Sequence, residues 1–110
     1  MNKATYNQLP PFQPNDISSD LAWLPLCTSQ DRLFYLTAKG IFDAAQATAK
    51  QSIAAATLAR GAAPETGDAA NIAQAECDIA IAAAAAARRK AENVFDGVRF
   101  STWTKLDDQN

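Results

Sequence analysis

The stretch IAIAAAAAARRK at residues 79–90 constrains the fold more than any other part of this chain of 110 residues. Seven of these twelve residues are alanines, and a buried methyl group contributes far less transfer free energy than a buried leucine. Small side chains let two helices approach toward the short end of the usual interaxial range of roughly 8 to 10 Å. We therefore expect a helix that gains stability by packing closely against another element.

Start and stop signals predict a first long helix over residues 28–60. Thr28 stands three residues before Asp31 and just before the apolar run LFYL, which is a capping-box pattern with aspartate in place of glutamate. Gly61 and then Pro64 follow the last periodic residues, and both are typical of a helix end.

A second long helix is predicted over residues 68–96, after a loop over residues 61–67. Thr66 or Asp68 can cap its first turn, and Gly97 stands where helices commonly end. The predicted inward faces of both helices change from bulky to small side chains toward the loop, which matches an antiparallel pair. The fold class is therefore all-α, a long antiparallel Ala-rich helical hairpin in a single domain of residues 1–110. The predicted helix-packing seam comprises Phe34, Ile41, Ala45, Ala73, Cys77, Ala80, Ala84, Ala87 and Phe95.

Extended arms are predicted on both sides of the hairpin. Residues 1–27 hold four of the five prolines, which resist helix formation, among large apolar side chains that a solvated tail would not need. Residues 97–110 form a C-terminal tail in which the alternation VRFSTW suits an extended segment. We expect aromatic side chains of both arms to meet at the open end of the hairpin.

Charge and cysteine content exclude several kinds of ligand. Ten basic and twelve acidic residues leave a net charge of −2, so no strong field attracts nucleic acid. The basic residues at 88–90 have acidic neighbours, which favours a solvated helix end. Cys27 and Cys77, in a chain without histidine, cannot complete a zinc site, so we predict no metal and free thiols.

The sequence also predicts where the protein is located. The longest uncharged stretch of the Ala-rich half, residues 79–87, has nine residues, whereas a membrane span needs roughly 20. The N-terminal residues MNKATYNQLPPFQP lack the apolar core of a secretory signal. We expect no membrane span, no secretory signal, and a cytoplasmic or virion-associated protein.

Catalytic chemistry has little support in the sequence. The absence of histidine removes the commonest general base, and no nucleotide-binding glycine motif is present. Carboxylate pairs such as Asp107 and Asp108 stand in polar surroundings. We therefore predict no enzyme activity, no catalytic residue and no cofactor.

Apolar side chains outside the predicted seam indicate association with other protein chains. A hairpin of two helices cannot cover so wide an apolar arc on both of them. We therefore expect a homo-oligomer or a subunit of a larger assembly, with the N-terminal arm fastened to a neighbouring subunit. The predicted partner contacts are Leu9, Phe12, Trp23, Phe42, Ile53 and Trp103.

These features favour a non-catalytic assembly subunit that packs through small-residue helix seams and arms. In general architecture, such a hairpin resembles the minor structural subunits of virions and secretion assemblies, and the resemblance implies arms that lace neighbouring subunits together. One alternative is a small regulatory binder, such as an inhibitor or an antitoxin-like protein, with the aromatic end as its hot spot. A more remote alternative is an amphipathic helical protein that lies on a lipid surface.

Overall fold

The computed structural model describes residues 9–109, so the parts of the predicted arms at residues 1–8 and 110 lie outside the described residues. Two short 3₁₀ helices, Ile17–Ala22 and Leu24–Leu26, precede two long helices, α1 (Ser29–Ala62) and α2 (Asp68–Asp108). The described range contains no strand. The prediction of an all-α hairpin is confirmed, because α1 and α2 pack against each other.

The first residues of α1 agree with the predicted cap. The backbone N–H of Asp31 donates to Oγ1 of Thr28 at 3.1 Å, and the N–H of Arg32 donates to the carbonyl oxygen of Thr28 at 2.9 Å. Thr28 therefore occupies the N-cap position, where a threonine hydroxyl satisfies one of the free amides of the first turn. The helix continues through Gly61 and ends at Ala62, slightly later than predicted.

The loop between the long helices is held by Arg60. Its Nε donates to Oε1 of Gln74 at 2.8 Å, and its Nη1 donates to the carbonyl oxygen of Pro64 at 3.3 Å. Gly67 has a φ of +91°, and its carbonyl oxygen accepts the N–H of Asn71 at 3.2 Å. Gly67 therefore occupies the N-cap position of α2. Glycine suits this position because a side chain at this φ would be strained.

The prediction of a cap by Thr66 or Asp68 is accordingly wrong. No side-chain cap of α2 from either residue is found among the described hydrogen bonds, and Asp68 instead lies in the first turn of the helix. A carboxylate in that position is favourable to the helix dipole.

The prediction of an extended C-terminal tail is wrong. Helix α2 continues through Gly97 to Asp108. The buried positions Phe95, Arg99, Thr102 and Leu106 follow the helical spacing of three and four residues. The alternation VRFSTW was misleading because Arg99, a residue normally assigned to the surface, is part of the buried face. Tertiary packing outweighs the cost of about 1 kcal/mol of a glycine inside a helix.

The chain divides into two compact units. One unit comprises the described residues of Met1–Gly40 and Asn93–Asn110, and the other comprises Ile41–Glu92. In the second unit, the residues buried on each helix are spaced by seven, which is typical of helices that pack by knobs into holes. These residues are Phe42 and Ala49 on α1, and Ala70, Cys77 and Ala84 on α2.

The first unit has a core of larger groups. Its buried apolar side chains include Trp23, Leu24, Tyr35, Phe95 and Leu106, and its buried polar side chains are Asp20, Arg99 and Thr102. The predicted meeting of aromatic residues is confirmed in this unit. Ring contacts join Phe12 to Phe100 and Trp103, and join Tyr35 to Trp23 and Phe95.

Candidate functional site

The most elaborate polar constellation of the described residues is centred on Arg99, whose side chain is fully buried. Its Nε donates to Oδ2 of Asp20 at 2.7 Å, and its Nη2 donates to Oδ1 of the same carboxylate at 3.0 Å. Asp20, in the first 3₁₀ helix, is likewise buried. This bidentate pairing uses the planar fork that distinguishes arginine from lysine.

Backbone carbonyl groups of the N-terminal segment complete the surroundings of Arg99. Its Nη1 donates to the carbonyl oxygen of Pro14 at 2.9 Å, and its Nη2 donates to those of Gln13 at 2.7 Å and Asp16 at 3.2 Å. The guanidinium carbon lies 5.0 Å from the centre of the Phe12 ring, which is a cation–π distance. One side chain of α2 thus holds three backbone carbonyl groups of the segment that leads into the first 3₁₀ helix.

A second contact fastens the same segment to α2. The indole Nε1 of Trp103 donates to the carbonyl oxygen of Pro10 at 2.9 Å. The ring of Phe12 lies between two aromatic residues of α2, with its centre 5.3 Å from that of Phe100 and 6.1 Å from that of Trp103. The described part of the N-terminal arm therefore docks on its own chain. The expectation that the arm is fastened to a neighbouring subunit is wrong for these residues.

Tyr35 links Asp20 to the aromatic core. Its hydroxyl donates to Oδ2 of Asp20, and its ring contacts those of Trp23 and Phe95 at 5.9 Å and 5.4 Å. Burial, and then the hydrogen bond to the Asp20 carboxylate and its negative charge, raise the pKa of Tyr35 well above the ordinary value. The phenol is therefore a donor that stays protonated.

The charge of Arg99 is compensated within the chain. Burial lowers the pKa of Arg99, but the hydrogen bonds and negative charges of Asp20 and then Asp96 outweigh this effect and raise it. Both carboxylate oxygens of Asp20 accept hydrogen bonds from Arg99, and one accepts the Tyr35 hydroxyl as well. The constellation therefore has the chemistry of a structural clamp, since the Asp20 carboxylate and the Arg99 guanidinium are already hydrogen-bonded to each other.

The two cysteines are free, as predicted, and both are buried. Sγ of Cys27 lies 3.9 Å from the carbonyl oxygen of Trp23, within hydrogen-bonding distance for sulfur. Burial, followed by the negative charge of Asp31, raises the pKa of the Cys27 thiol. Among residues 9–109 no cluster of cysteine and carboxylate side chains could hold a metal ion.

The positions of the predicted helix-packing seam are buried on part of α2, whereas two of the three on α1 are exposed. Phe34 and Ile41 are 55% and 67% exposed, whereas their neighbours Tyr35 and Phe42 are buried. Arg32, Lys39 and Gln46 on α1 are half-buried, because long polar side chains can cover the edge of a helix contact. Ala87 on α2 is also exposed and therefore outside the seam. The remaining predicted seam residues are buried or half-buried, namely Ala45, Ala73, Cys77, Ala80, Ala84 and Phe95.

Two of the six predicted partner contacts are buried in the chain, and the other four are half-buried. Trp23 and Phe42 are buried, so their assignment to a partner surface is wrong. Phe12 and Trp103 are half-buried by contacts with each other and with Arg99 and Pro10. The other two predicted contacts, Leu9 and Ile53, are half-buried as well.

A different set of apolar side chains faces the solvent. On α1, seven exposed residues follow one another at steps of three and four, and none of them is charged. This uncharged stripe of α1 comprises Ile41, Ala44, Thr48, Gln51, Ala55, Leu58 and Ala62. Spacing of this kind places all seven on one face of the helix. Ile41 of this stripe is one of the predicted seam residues, so the prediction placed it in the interior of the hairpin.

Comparisons of the chain with protein-family models, with curated proteins and with solved structures give no significant match. None of the helices within the described range is long and apolar enough to cross a membrane.

Proposed function

We propose that the chain is a non-catalytic structural subunit that joins other protein chains through exposed apolar faces of its long helices. The observation that carries the proposal is the number of large apolar side chains in solvent, eleven among the described residues. Leu58, Ile79 and Ile41 are 76%, 69% and 67% exposed. Single exposed apolar residues are common, but faces with regular helical spacing are typical of protein contacts.

The uncharged stripe of α1 supports this proposal most directly. Burying its Ile41 and Leu58 would each contribute about 1.5 to 3 kcal/mol of transfer free energy. Ala44, Thr48 and Ala55 between them are small enough for a second helix to approach closely. A charged residue within the stripe would oppose such a contact, and the stripe contains none.

Because the N-terminal arm docks on its own chain, the arm is not the contact that we propose between subunits. The arm residues 9–27 supply buried groups to their own chain, so the proposed contacts lie on the long helices instead. The regulatory-binder alternative relied on the aromatic end as a hot spot, and the burial of Trp23 and Tyr35 reduces that surface, of which Phe100 remains exposed. A lipid-surface helix would need a face rich in lysine and arginine, which the mixed charges do not provide.

A virion or a secretion assembly is the setting that we propose for this subunit, in the cytoplasm or within the virion itself. The support is architectural, since a small helical hairpin with close-packed alanines is suited to repeated contacts with other helices. The partners are other copies of this chain or other protein subunits. The small net charge gives no reason to include nucleic acid among them.

Sedimentation of the full chain over a wide range of concentration tests the proposal. We expect species heavier than the monomer, and we expect the double variant Ile41→Gln/Leu58→Gln to lower their mass without loss of helical circular dichroism. Lys50→Gln is the matched control, because Lys50 is exposed on the same helix but outside the uncharged stripe. A chain that stays monomeric at every concentration contradicts self-assembly and favours the regulatory binder.

A further inference from the structure

A second exposed stripe, on α2, has a symmetric arrangement of side chains about Ala83. Its six residues succeed one another at steps of four, three, four, four and three, and all of them are exposed. At 100° per residue they lie within an arc of about 80° on the helix surface. The α2 stripe comprises Ile72, Glu76, Ile79, Ala83, Ala87 and Lys90.

The charges of this stripe are complementary to those of a second copy of α2 that runs in the opposite direction. Glu76 lies seven residues before Ala83 and Lys90 lies seven residues after it. At 1.5 Å per residue, each charge is about 10.5 Å from Ala83 along the helix axis. Two copies of α2 that cross at Ala83 in opposite directions would therefore bring Glu76 of each copy to Lys90 of the other. The same operation brings Ile79 of each copy over Ala87 of the other.

The free chain leaves both charged groups available for such a contact. Neither Glu76 nor Lys90 forms an ion pair with another described residue. A parallel pair would instead place Glu76 beside Glu76 and Lys90 beside Lys90, which is repulsive. The side chain at the crossing point is a single methyl group, so the two helix axes can approach closely.

We infer that the α2 stripe is a contact between two copies of this chain, related by a two-fold axis at Ala83 with their α2 helices antiparallel. This inference rests on the proposed assembly function and adds a partner and an orientation to it. The contact is isologous, because the same surface is used on both copies. One helix face is a small interface, so we expect a weak dimer that dissociates on dilution.

Charge-exchange variants test the contact and its direction. Glu76→Lys places lysine beside lysine at both ends of the dimer, and Lys90→Glu places glutamate beside glutamate. We expect each single variant to dimerise more weakly, on the order of tenfold, because two attractive pairs become repulsive. The double variant Glu76→Lys/Lys90→Glu restores both pairs, and so does an equimolar mixture of the two single variants. Unchanged association of the single variants, or no recovery in the mixture, overturns the inference.

A cysteine at the crossing point gives an independent measurement. Ala83→Cys would place two thiols at the two-fold axis, and mild oxidation should convert the chain to a disulfide-linked dimer. Ala82→Cys is the matched control, since Ala82 is also exposed but lies about 100° away around the helix. Both variants keep the buried thiols of Cys27 and Cys77 as a common background. Equal crosslinking of the two variants contradicts the proposed axis.

The result separates this contact from the wider proposal. If the uncharged stripe of α1 affects the assembly mass but the α2 variants do not, the α2 contact is wrong and the subunit function stands. If the chain is monomeric throughout, the dimer and the self-assembly are both wrong.

Discussion

Removing the carboxylate of Asp20 should strongly destabilise the protein. Asp20→Ala eliminates three hydrogen bonds, two from Arg99 and one from Tyr35. It also leaves the guanidinium of Arg99, which has no exposed side-chain surface, without its principal counter-charge. Breaking a buried pair in this way costs about 3 to 5 kcal/mol. A domain has a free energy of unfolding of about 5 to 15 kcal/mol, so the loss is a large part of the total.

The same cluster contains a matched control. The carboxylate of Asp96 accepts from Nη1 of Arg99 at 3.3 Å, but it is 41% exposed. Solvent screening limits such a pair to about 1 kcal/mol or less, so Asp96→Ala should have a small effect. Urea unfolding followed by circular dichroism and by tryptophan fluorescence measures both variants. The expected difference in unfolding free energy between them is at least about 2 kcal/mol.

A double-mutant cycle with Arg99→Ala decides whether the pair acts as a unit. The double variant Asp20→Ala/Arg99→Ala removes the stranded charge, so its cost should be smaller than the sum of the two single costs by about 0.5 to 3 kcal/mol. Additive effects would show that Asp20 and Arg99 do not interact energetically. Equal stabilities of Asp20→Ala and Asp96→Ala would refute the argument from burial.

Three further predictions follow from particular positions. Ala84→Leu should lower the unfolding free energy by about 1 to 3 kcal/mol through overpacking, whereas the exposed Ala82→Leu should change it by less than about 0.5 kcal/mol in thermal melts. Gly67→Ala, at a φ of +91°, should destabilise the loop by about 1 to 3 kcal/mol in urea unfolding, whereas Gly97→Ala, with open space around its Cβ, should stabilise α2 by about 0.5 to 1 kcal/mol. The raised pKa of Tyr35 contributes stability that is present below its ordinary value of 10.0 and is lost as the pH rises above it. Alkaline denaturation should therefore be less steep for Tyr35→Phe, and an unchanged profile would contradict this assignment.

Local signals in the sequence are sufficient for the hairpin and for the bounds of α1, but not for the end of α2. The cap at Thr28 depends on residues within one turn, and so does the effect of Gly61 and Pro64 near the end of α1. The phase of α1 was not predictable in the same way, because Phe34 with Ile41 and Tyr35 with Phe42 are two equally spaced apolar pairs. What decides between them is the contact of Tyr35 with Asp20, Trp23 and Phe95, which is tertiary.

The arginine clamp could not be found from the sequence for a related reason. Arg99 and Asp20 are separated by 79 residues, and no local pattern distinguishes either from an ordinary surface charge. The one available signal was the position of Asp20 among the apolar residues of its segment, which include Ile17, Leu21 and Trp23. The sequence does not show that Arg99 is buried. The predicted arm therefore has no binding site on its own chain, and the alternation of VRFSTW is interpreted as an extended segment.

The alanines of α2 are understandable if the helix packs on two opposite sides. Ala84 is buried on the side of the hairpin contact, whereas the preceding residue, Ala83, is exposed on the stripe proposed to bind a second copy. A leucine at Ala84 would strain the contact within the chain, and a leucine at Ala83 would hold two copies apart. Neither of these two positions can therefore accept a large side chain. The stability that the alanines do not provide has to come from larger buried groups, and the unit of Met1–Gly40 and Asn93–Asn110 contains them in Trp23, Phe95 and the Asp20–Arg99 pair.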